Sequence, residues 1–432
     1  MPPALQLLPF QVESARWLRS RRTALLAHEM GLGKTICTLA ALPRGARALV
    51  FAPSVAVGVW AGEIARWRPD LRATIAGGRA AWRWPRRGEV RIGTYGCLPA
   101  RPAGPAPTGA WLLGDEVHLL KNPPARRTRR WRTLARRIYA RGGRVVGLTA
   151  TPLLNRPEEL WAVLESLGCA REAFGSRAAF DVLVDRGDAS DGVLAPQLRK
   201  VMQRFLVAEV ARSLPPLRRE RVTVPIARVH RRRIARELAR LGLVDAPSLR
   251  ELLLALERGA GGEARELPRA TELSRVRALL AAAKIPALRR LVRRYEQAGE
   301  PLVVLAAHRA PIEVLGRRKG WAAITGATPP ARRTEIERAF QAGRLLGVAA
   351  TILAGGMSIT LTRARHALFV DQAWTPAWNA QAEGRIRRLG QRWPCLVQIL
   401  VADHVVDRHV SAVLERKIAL IDQALGLTSI GS

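Results

Sequence analysis

Ala24-Leu25-Leu26-Ala27-His28-Glu29-Met30-Gly31-Leu32-Gly33-Lys34-Thr35-Ile36-Cys37 decides the fold: an apolar run, a turn with two glycines, then Lys-Thr heading a second apolar run. It reads as a phosphate-binding loop between a strand and a helix. Gly31 and Gly33 let the backbone curl so that successive N–H groups point at one anion, and the helix adds the positive end of its dipole. Lys34 would reach the β- and γ-phosphates and Thr35 would place its hydroxyl on Mg²⁺, with Gly31, Leu32 and Gly33 lining the nucleotide. The strict pattern has a glycine five residues before Gly33, and His28 stands there instead. Alone, the loop competes with a plain Gly-rich strand-to-helix turn, so its meaning depends on partners elsewhere.

Composition narrows those partners. The chain has 432 residues, 48% of them hydrophobic, enough for two or three domains with their own cores. Lys and Arg total 71 against 35 Asp and Glu, a formal charge of +36. A polyanion is the physical default partner, held through salt-sensitive phosphate contacts. Four cysteines, Cys37, Cys97, Cys169 and Cys395, are too dispersed for a zinc pattern and too few for a disulfide scaffold, which implies free thiols in a reducing compartment. The N-terminus lacks the basic and apolar regions of a secretion signal, and no apolar run is long enough to span a bilayer. A cytoplasmic protein without membrane contact, nucleoid-associated if bacterial, is expected.

Short apolar runs alternate with helical stretches, the rhythm of a parallel α/β sheet. Expected strands are 48–52, 90–95, 111–114 and 144–148, then 301–307, 322–325, 345–350, 366–371 and 396–401. Between about 155 and 295 the spacing turns helical, with Gly259-Ala260-Gly261-Gly262 as a break, and an amphipathic helix is expected over 405–424. The fold class is α/β: two parallel-sheet lobes with a helical insertion between them. The expected boundaries are 1–165 for lobe 1, 166–275 for helical protrusions and linker, and 276–432 for lobe 2.

Trp111-Leu112-Leu113-Gly114 runs into Asp115-Glu116-Val117-His118. A strand ending in adjacent carboxylates suits a Mg-nucleotide site, with Asp115 on the metal and Glu116 orienting and deprotonating the attacking water. An isolated Asp-Glu pair is usually a strand-end turn; about eighty residues after a Gly-Lys-Thr loop it reads as catalytic. Leu148-Thr149-Ala150-Thr151-Pro152 follows another strand, and its hydroxyls could relay the γ-phosphate state or simply cap a turn. Gln381-Ala382-Glu383-Gly384-Arg385-Ile386-Arg387-Arg388-Leu389-Gly390-Gln391 places Arg385 and Arg388 at i, i+3 on one expected helical face, able to act as arginine fingers, with Arg387 turned away.

Taken in order, these motifs resemble the Snf2 family of superfamily 2 ATPases, translocases on double-stranded DNA, over nearly the whole chain. Leu8-Pro9-Phe10-Gln11 resembles the adenine-reading Q motif and His28–Thr35 the motif written DEMGLGKT. Phe51-Ala52-Pro53-Ser54 with Trp60 and Trp67 is similar to motif Ia and its sequel. Asp115–His118 with Lys121-Asn122 is similar to the DEAH box, and Leu148–Pro152 with Asn155, Glu159 and Leu160 to LTGTP. Leu214-Pro215 followed by Val222 resembles the strand after the first lobe. In the second half Leu302–His308 resembles motif IV, Ala354-Gly355-Gly356 with Leu361 motif V, Asp371 with Trp374 and Pro376 the D-x-x-W-N-P stretch, and Gln381–Gln391 QAxxRxxRxGQ. Ala283-Lys284-Ile285-Pro286 through Ala307-His308 further resembles the annealing-helicase, HepA-like branch.

The resemblance implies two RecA-like lobes binding ATP and Mg²⁺ between them. Gln11 and Gly31 to Thr35 would bind ATP, Lys34, Asp115, Glu116, Gln381, Arg385 and Arg388 would catalyse, and Thr35 and Asp115 would hold the metal. Ser54, Thr149, Thr151, Gly355 and Gly356 would face DNA or couple to it. The partner implied is double-stranded DNA gripped through phosphates without sequence preference by a monomeric motor, with any targeting left to a protein partner. His28 replaces an aspartate, Val117 an alanine, Ser358 a glycine and Thr375 an asparagine, and the basic cluster at Arg204 has lost its lysine. None of these is a catalytic position, so hydrolysis is expected to survive and His28 to be tolerated. The arginine-dense stretch from Arg126 to Arg137 is either DNA-facing or a solvated helix face. Two rival functions remain, a strand-separating DNA or RNA helicase and a non-catalytic DNA-binding scaffold with a decayed motor.

Overall fold

The computed structural model describes residues 6–76, 83–100, 102–152, 157–185, 194–210, 214–243, 268–355, 359–388 and 390–424. Asn155, Gly356, Ser358, Leu389 and the 259–262 glycine break lie outside them. The chain forms two units, residues 1–212 with the C-terminal residues from 420, and residues 213–419.

The first unit holds a seven-stranded sheet of β1 (Thr23–Leu26), β2 (Arg47–Ala52), β3 (Arg72–Ile75), β4 (Glu89–Thr94), β5 (Trp111–Asp115), β6 (Arg144–Leu148) and β7 (Met202–Gln203). Their order is β3-β4-β2-β5-β6-β1-β7, every pairing parallel. The middles of the central strands β1, β2, β5 and β6 are apolar and buried because both faces are covered. Leu25, Leu49, Leu112 and Val145 point into one core, while Ala24, Leu26, Ala48, Val50, Leu113 and Val146 point into the other. Helices α1 (Pro9–Ser20), α2 (Lys34–Ala41) and α3 (Ser54–Trp67) cover the second face. Helices α4 (Arg126–Ala140) and α5 (Pro157–Leu167) cover the first.

The second unit holds β8 (Leu217–Val224), β9 (Leu302–Ala306), β10 (Trp321–Ile324), β11 (Gly347–Thr351), β12 (His366–Asp371) and β13 (Cys395–Ala402), ordered β10-β11-β9-β12-β13-β8 and again parallel. Val303, Leu305 and Phe369 face one core and Leu302, Val304 and Leu368 the other.

Two strands have no counterpart in the sequence reading, and a third, marked there only by the resemblance around Leu214-Pro215 and Val222, was placed outside the second lobe. β3 and the two-residue β7 are sheet edges, too short or too exposed to carry an apolar signature. β8, Leu-Arg-Arg-Glu-Arg-Val-Thr-Val, sits inside the stretch 166–275 assigned to protrusions and linker, yet it pairs with β13 over all eight residues. The second sheet therefore begins at Leu217. As an edge strand, mostly outside the core, β8 carries charge where a central strand carries Val or Leu.

Candidate nucleotide site

In the first sheet β5, β6 and β1 are neighbours, and Asp115 is level with Leu148, which is level with Leu26. The carboxylate pair, the Thr149–Thr151 turn and the glycine loop therefore leave adjacent strands at one carboxyl edge, where open α/β sheets carry their chemistry.

The loop winds through left-handed glycines, Gly31 at φ 83° and Gly33 at φ 75°, and Gly33 caps α2 so that Lys34 and Thr35 open the helix. The φ of 75° at Gly33 is one that side-chain-bearing residues rarely adopt, and a Cβ there would also displace Gln11 Nε2, 2.7 Å away. Gln11 is buried and grips its surroundings with both ends. Its Oε1 accepts from Leu8 N–H at 2.9 Å and its Nε2 donates to Leu32 O at 3.2 Å. The Lys34 ammonium donates to His28 O at 2.9 Å. Burial lowers the Lys34 pKa, opposed by the Glu116 and Asp115 carboxylates.

Asp115 Oδ2 accepts from Trp60 Nε1 at 2.9 Å, and its backbone carbonyl accepts from the Tyr95 hydroxyl at 2.8 Å. Burial first and Glu116 second raise the Asp115 pKa to about 6, against the pull of Trp60 and Lys34. Gly114, just before it, has no room for a Cβ, which would meet Val117 and Trp131 within 2.7 Å. Glu116 sits at φ 53°, ψ 51°, the one non-glycine with positive φ among the described residues. That left-handed step turns β5 into the 3-10 helix Val117–Leu120 and brings Glu116 Oε2 within 3.2 Å of His118 Nδ1. The same nitrogen lies 3.2 Å from Thr149 Oγ1, which also accepts from Thr151 N–H at 3.1 Å.

Thr149 is thus fully buried against the carboxylate segment, while Thr151 is partly exposed and Ser54, first residue of α3, is exposed. Sequence reasoning missed Arg204 as a connector. Its Nη1 donates to Ala27 O at 2.8 Å and Ala150 O at 3.0 Å, tying the loop entrance to the threonine turn. No local pattern signals that bridge, although the position was already marked by its lost lysine neighbour.

In the second unit the helix carrying Gln381 ends at Glu383, and Gly384 to Arg388 form turns rather than the expected continuous helix. Shorter i−3 bonds, Arg385 N–H to Ala382 O and Ile386 N–H to Glu383 O, replace helical ones. The pairing of side chains nevertheless emerges. Arg385 Nη1 donates to Ile359 O at 3.5 Å and Arg388 Nη1 to Thr360 Oγ1 at 2.9 Å, adjacent residues, while Arg387 donates away to Pro215 O. Gln381 is buried, and Gly355 closes the short helix Ile352–Gly355 after β11.

On α4, Arg130 donates to Leu98 O, Arg132 to Ser166 Oγ and Ala162 O, and Arg137 to Pro102 O. Arg126, Arg127, Arg129 and Arg136 are left exposed. Among the described residues no helix is long and apolar enough to cross a membrane.

The chain is similar in sequence to known proteins. The chain is 28% identical, over 97% of its length, to the Xenopus tropicalis SWI/SNF-related matrix-associated actin-dependent regulator of chromatin subfamily A-like protein 1, covering 45% of that protein. It is 27% identical over 95% of its length to the mouse DNA annealing helicase and endonuclease ZRANB3, covering 40% of it. It is 26% identical over 96% to the mouse SWI/SNF-related matrix-associated actin-dependent regulator of chromatin subfamily A member 1, covering 43%. The chain thus spans less than half of each relative. A Sulfolobus solfataricus SWI2/SNF2 ATPase core solved with dsDNA aligns over 98% of the chain and 94% of its own at 18% identity and a TM-score of 0.44, which adds nothing to the topology above. A helicase conserved C-terminal domain model matches residues 283–390. An SNF2-related domain model matches residues 10–246, more than half of the chain, and the protein belongs to that family of helicase-like ATPases.

Proposed function

We propose that the chain is an ATP-hydrolysing motor that moves along or remodels double-stranded DNA. The observation that carries this reading is the level carboxyl edge of β5, β6 and β1, which gathers Lys34, Asp115 and Glu116 on a sheet whose family is that of helicase-like ATPases. ATP phosphates would lie on the loop N–H groups and Lys34, and Gln11 would hold the loop in shape through Leu32.

The buried Asp115 carboxylate and the Thr35 hydroxyl are hard oxygen donors, a set that fits Mg²⁺ completed by phosphates and water. When bound, Mg²⁺ supplies Lewis-acid polarisation and charge neutralisation. Glu116 takes the proton of the attacking water, its geometry held by the left-handed backbone and the His118 contact. Arg385 and Arg388, side by side on residues 359–360, are suited to neutralise the transferring phosphoryl group. A net charge of +36 supports grip on the DNA backbone without sequence readout. The cytoplasm, or the nucleoid, is the corresponding place of action, and a monomer suffices.

Initial ATPase rates on duplex, forked and single-stranded DNA and on RNA test this reading. Greatest stimulation by duplex is expected, with Lys34→Ala and Glu116→Gln both inactive. Stimulation by single strands or RNA alone would favour a strand-separating helicase. Duplex binding without hydrolysis would favour a scaffold.

A further inference from the structure

His28 is fully buried at the loop entrance, and the chemistry above uses only its backbone carbonyl. Its ring touches two other elements. Nε2 lies 2.7 Å from Ser14 Oγ on α1, and Nδ1 lies 3.1 Å from the backbone nitrogen of Phe205. A backbone N–H can only donate, so Nδ1 is the acceptor. A neutral ring then carries its proton on Nε2 and donates it to Ser14, whose own hydroxyl donates to Phe10 O at 2.7 Å. Burial, with Lys34 and Arg204 adding like charge, pushes the His28 pKa down to about 3, so the ring is neutral. Phe10 and Phe205 flank it, with ring centroids 6.2 and 5.1 Å away.

Both attachments reach the loop by a second route. α1 also holds Leu32 O through Gln11. The 203–207 segment runs beside the loop entrance, with Ala27 N–H on Gln203 O, Glu29 N–H on Phe205 O and Val207 N–H on Glu29 Oε2. The loop is therefore clasped between a helix and a segment some 170 residues later in the chain, and His28 is the side chain bonded to both. An aspartate here would be shorter, would offer no donor to Ser14, and would bury a carboxylate among these contacts.

We propose that His28 is a positioning residue, a two-sided latch that holds α1 and the 203–207 segment on the phosphate-binding loop and thereby sets nucleotide affinity. The proposal rests on the nucleotide site described above but not on hydrolysis, so equilibrium binding of a fluorescent ATP analogue tests it directly. His28→Asn keeps an acceptor near the Nδ1 position and loses Ser14; His28→Gln keeps a donor near the Nε2 position and loses Phe205 N–H. Ser14→Ala removes one arm from outside.

Losing both arms in His28→Ala is expected to weaken binding about tenfold or more. The Asn and Gln variants should fall between Ala and wild type. Ser14→Ala should weaken wild type but add nothing to His28→Asn, and in turnover assays KM for ATP should rise more than kcat falls. A merely structural histidine would lower melting temperature and active fraction while leaving the Kd of the folded fraction unchanged, which would overturn the latch. Full additivity of Ser14→Ala with His28→Asn would overturn it as well. If wild type binds nucleotide but hydrolyses none with duplex, the motor reading fails and the binding comparison still decides the latch. No nucleotide binding by wild type defeats both.

Discussion

Glu116 shows how much of the site is decided at a single backbone position. A non-glycine residue in the left-handed region carries strain on the order of 1 kcal/mol, and here it aims the carboxylate that we propose activates water. Both Glu116→Ala and Glu116→Gly should abolish hydrolysis, but the glycine variant should be the more stable by about 1 kcal/mol in denaturant titration, because glycine accepts positive φ. An alanine variant of equal or greater stability would mean that the turn is not strained. His28 supplies a pH test. Its folded pKa, about 3, lies below the unfolded value of 6.5, so the unfolded chain binds a proton that the folded one refuses. Its contribution is whole above about pH 6.5 and declines as pH falls toward 3. Melting temperature should drop more steeply between pH 6.5 and 4 in wild type than in His28→Gln, and parallel curves would refute the buried neutral ring.

Among elements, Lys284 joins three parts of the second unit. Only 1% exposed, its ammonium donates to Val370 O at the end of β12 and Leu400 O near the end of β13, both at 2.8 Å, and pairs with Asp407 on helix Val405–Ala424. Removing one partner of a buried ion pair leaves the other charge uncompensated. Lys284→Ala should therefore destabilise this unit by about 3–5 kcal/mol, read from denaturant unfolding followed by Trp321 or Trp374 fluorescence. A loss below about 1 kcal/mol would show that the pair is replaceable by water. Elements also mark where sequence reading succeeds. β2, β5, β6, β9 and β12 were legible because burial on both faces demands unbroken apolar runs. β8 was marked only by the resemblance around Leu214-Pro215 and Val222; its pattern, broken by Arg218, Arg219, Glu220 and Arg221, carries no strand signature, since an edge strand can leave its side chains in water. The glycine loop and the carboxylate pair at a strand end were legible as local structure. The Glu116 conformation, the Trp60 bond to Asp115, the Arg204 bridge and the two bonds of His28 were not, because each depends on residues brought together by the sheet rather than by spacing.

For the whole molecule the dominant quantity is charge. An excess of 36 positive charges, with Arg126, Arg127, Arg129 and Arg136 exposed on α4, predicts duplex affinity that falls steeply with salt as counterions are released. Titration of a labelled duplex from about 50 to about 200 mM salt should show a loss of 10³-fold order if six or more phosphates are neutralised. Affinity unchanged across that range would mean that the charge serves another purpose.

The central claim is that one sheet edge joins phosphate loop and carboxylates into a hydrolytic site that DNA switches on. Its most direct test is the steady-state ATPase rate of the wild-type chain with and without saturating duplex at low salt, beside Glu116→Gln. The wild-type rate should rise severalfold or more with duplex, and the variant should stay at background. A wild-type rate indifferent to duplex, or a Glu116→Gln protein that still responds to it, would show that this edge is not a DNA-switched hydrolytic site.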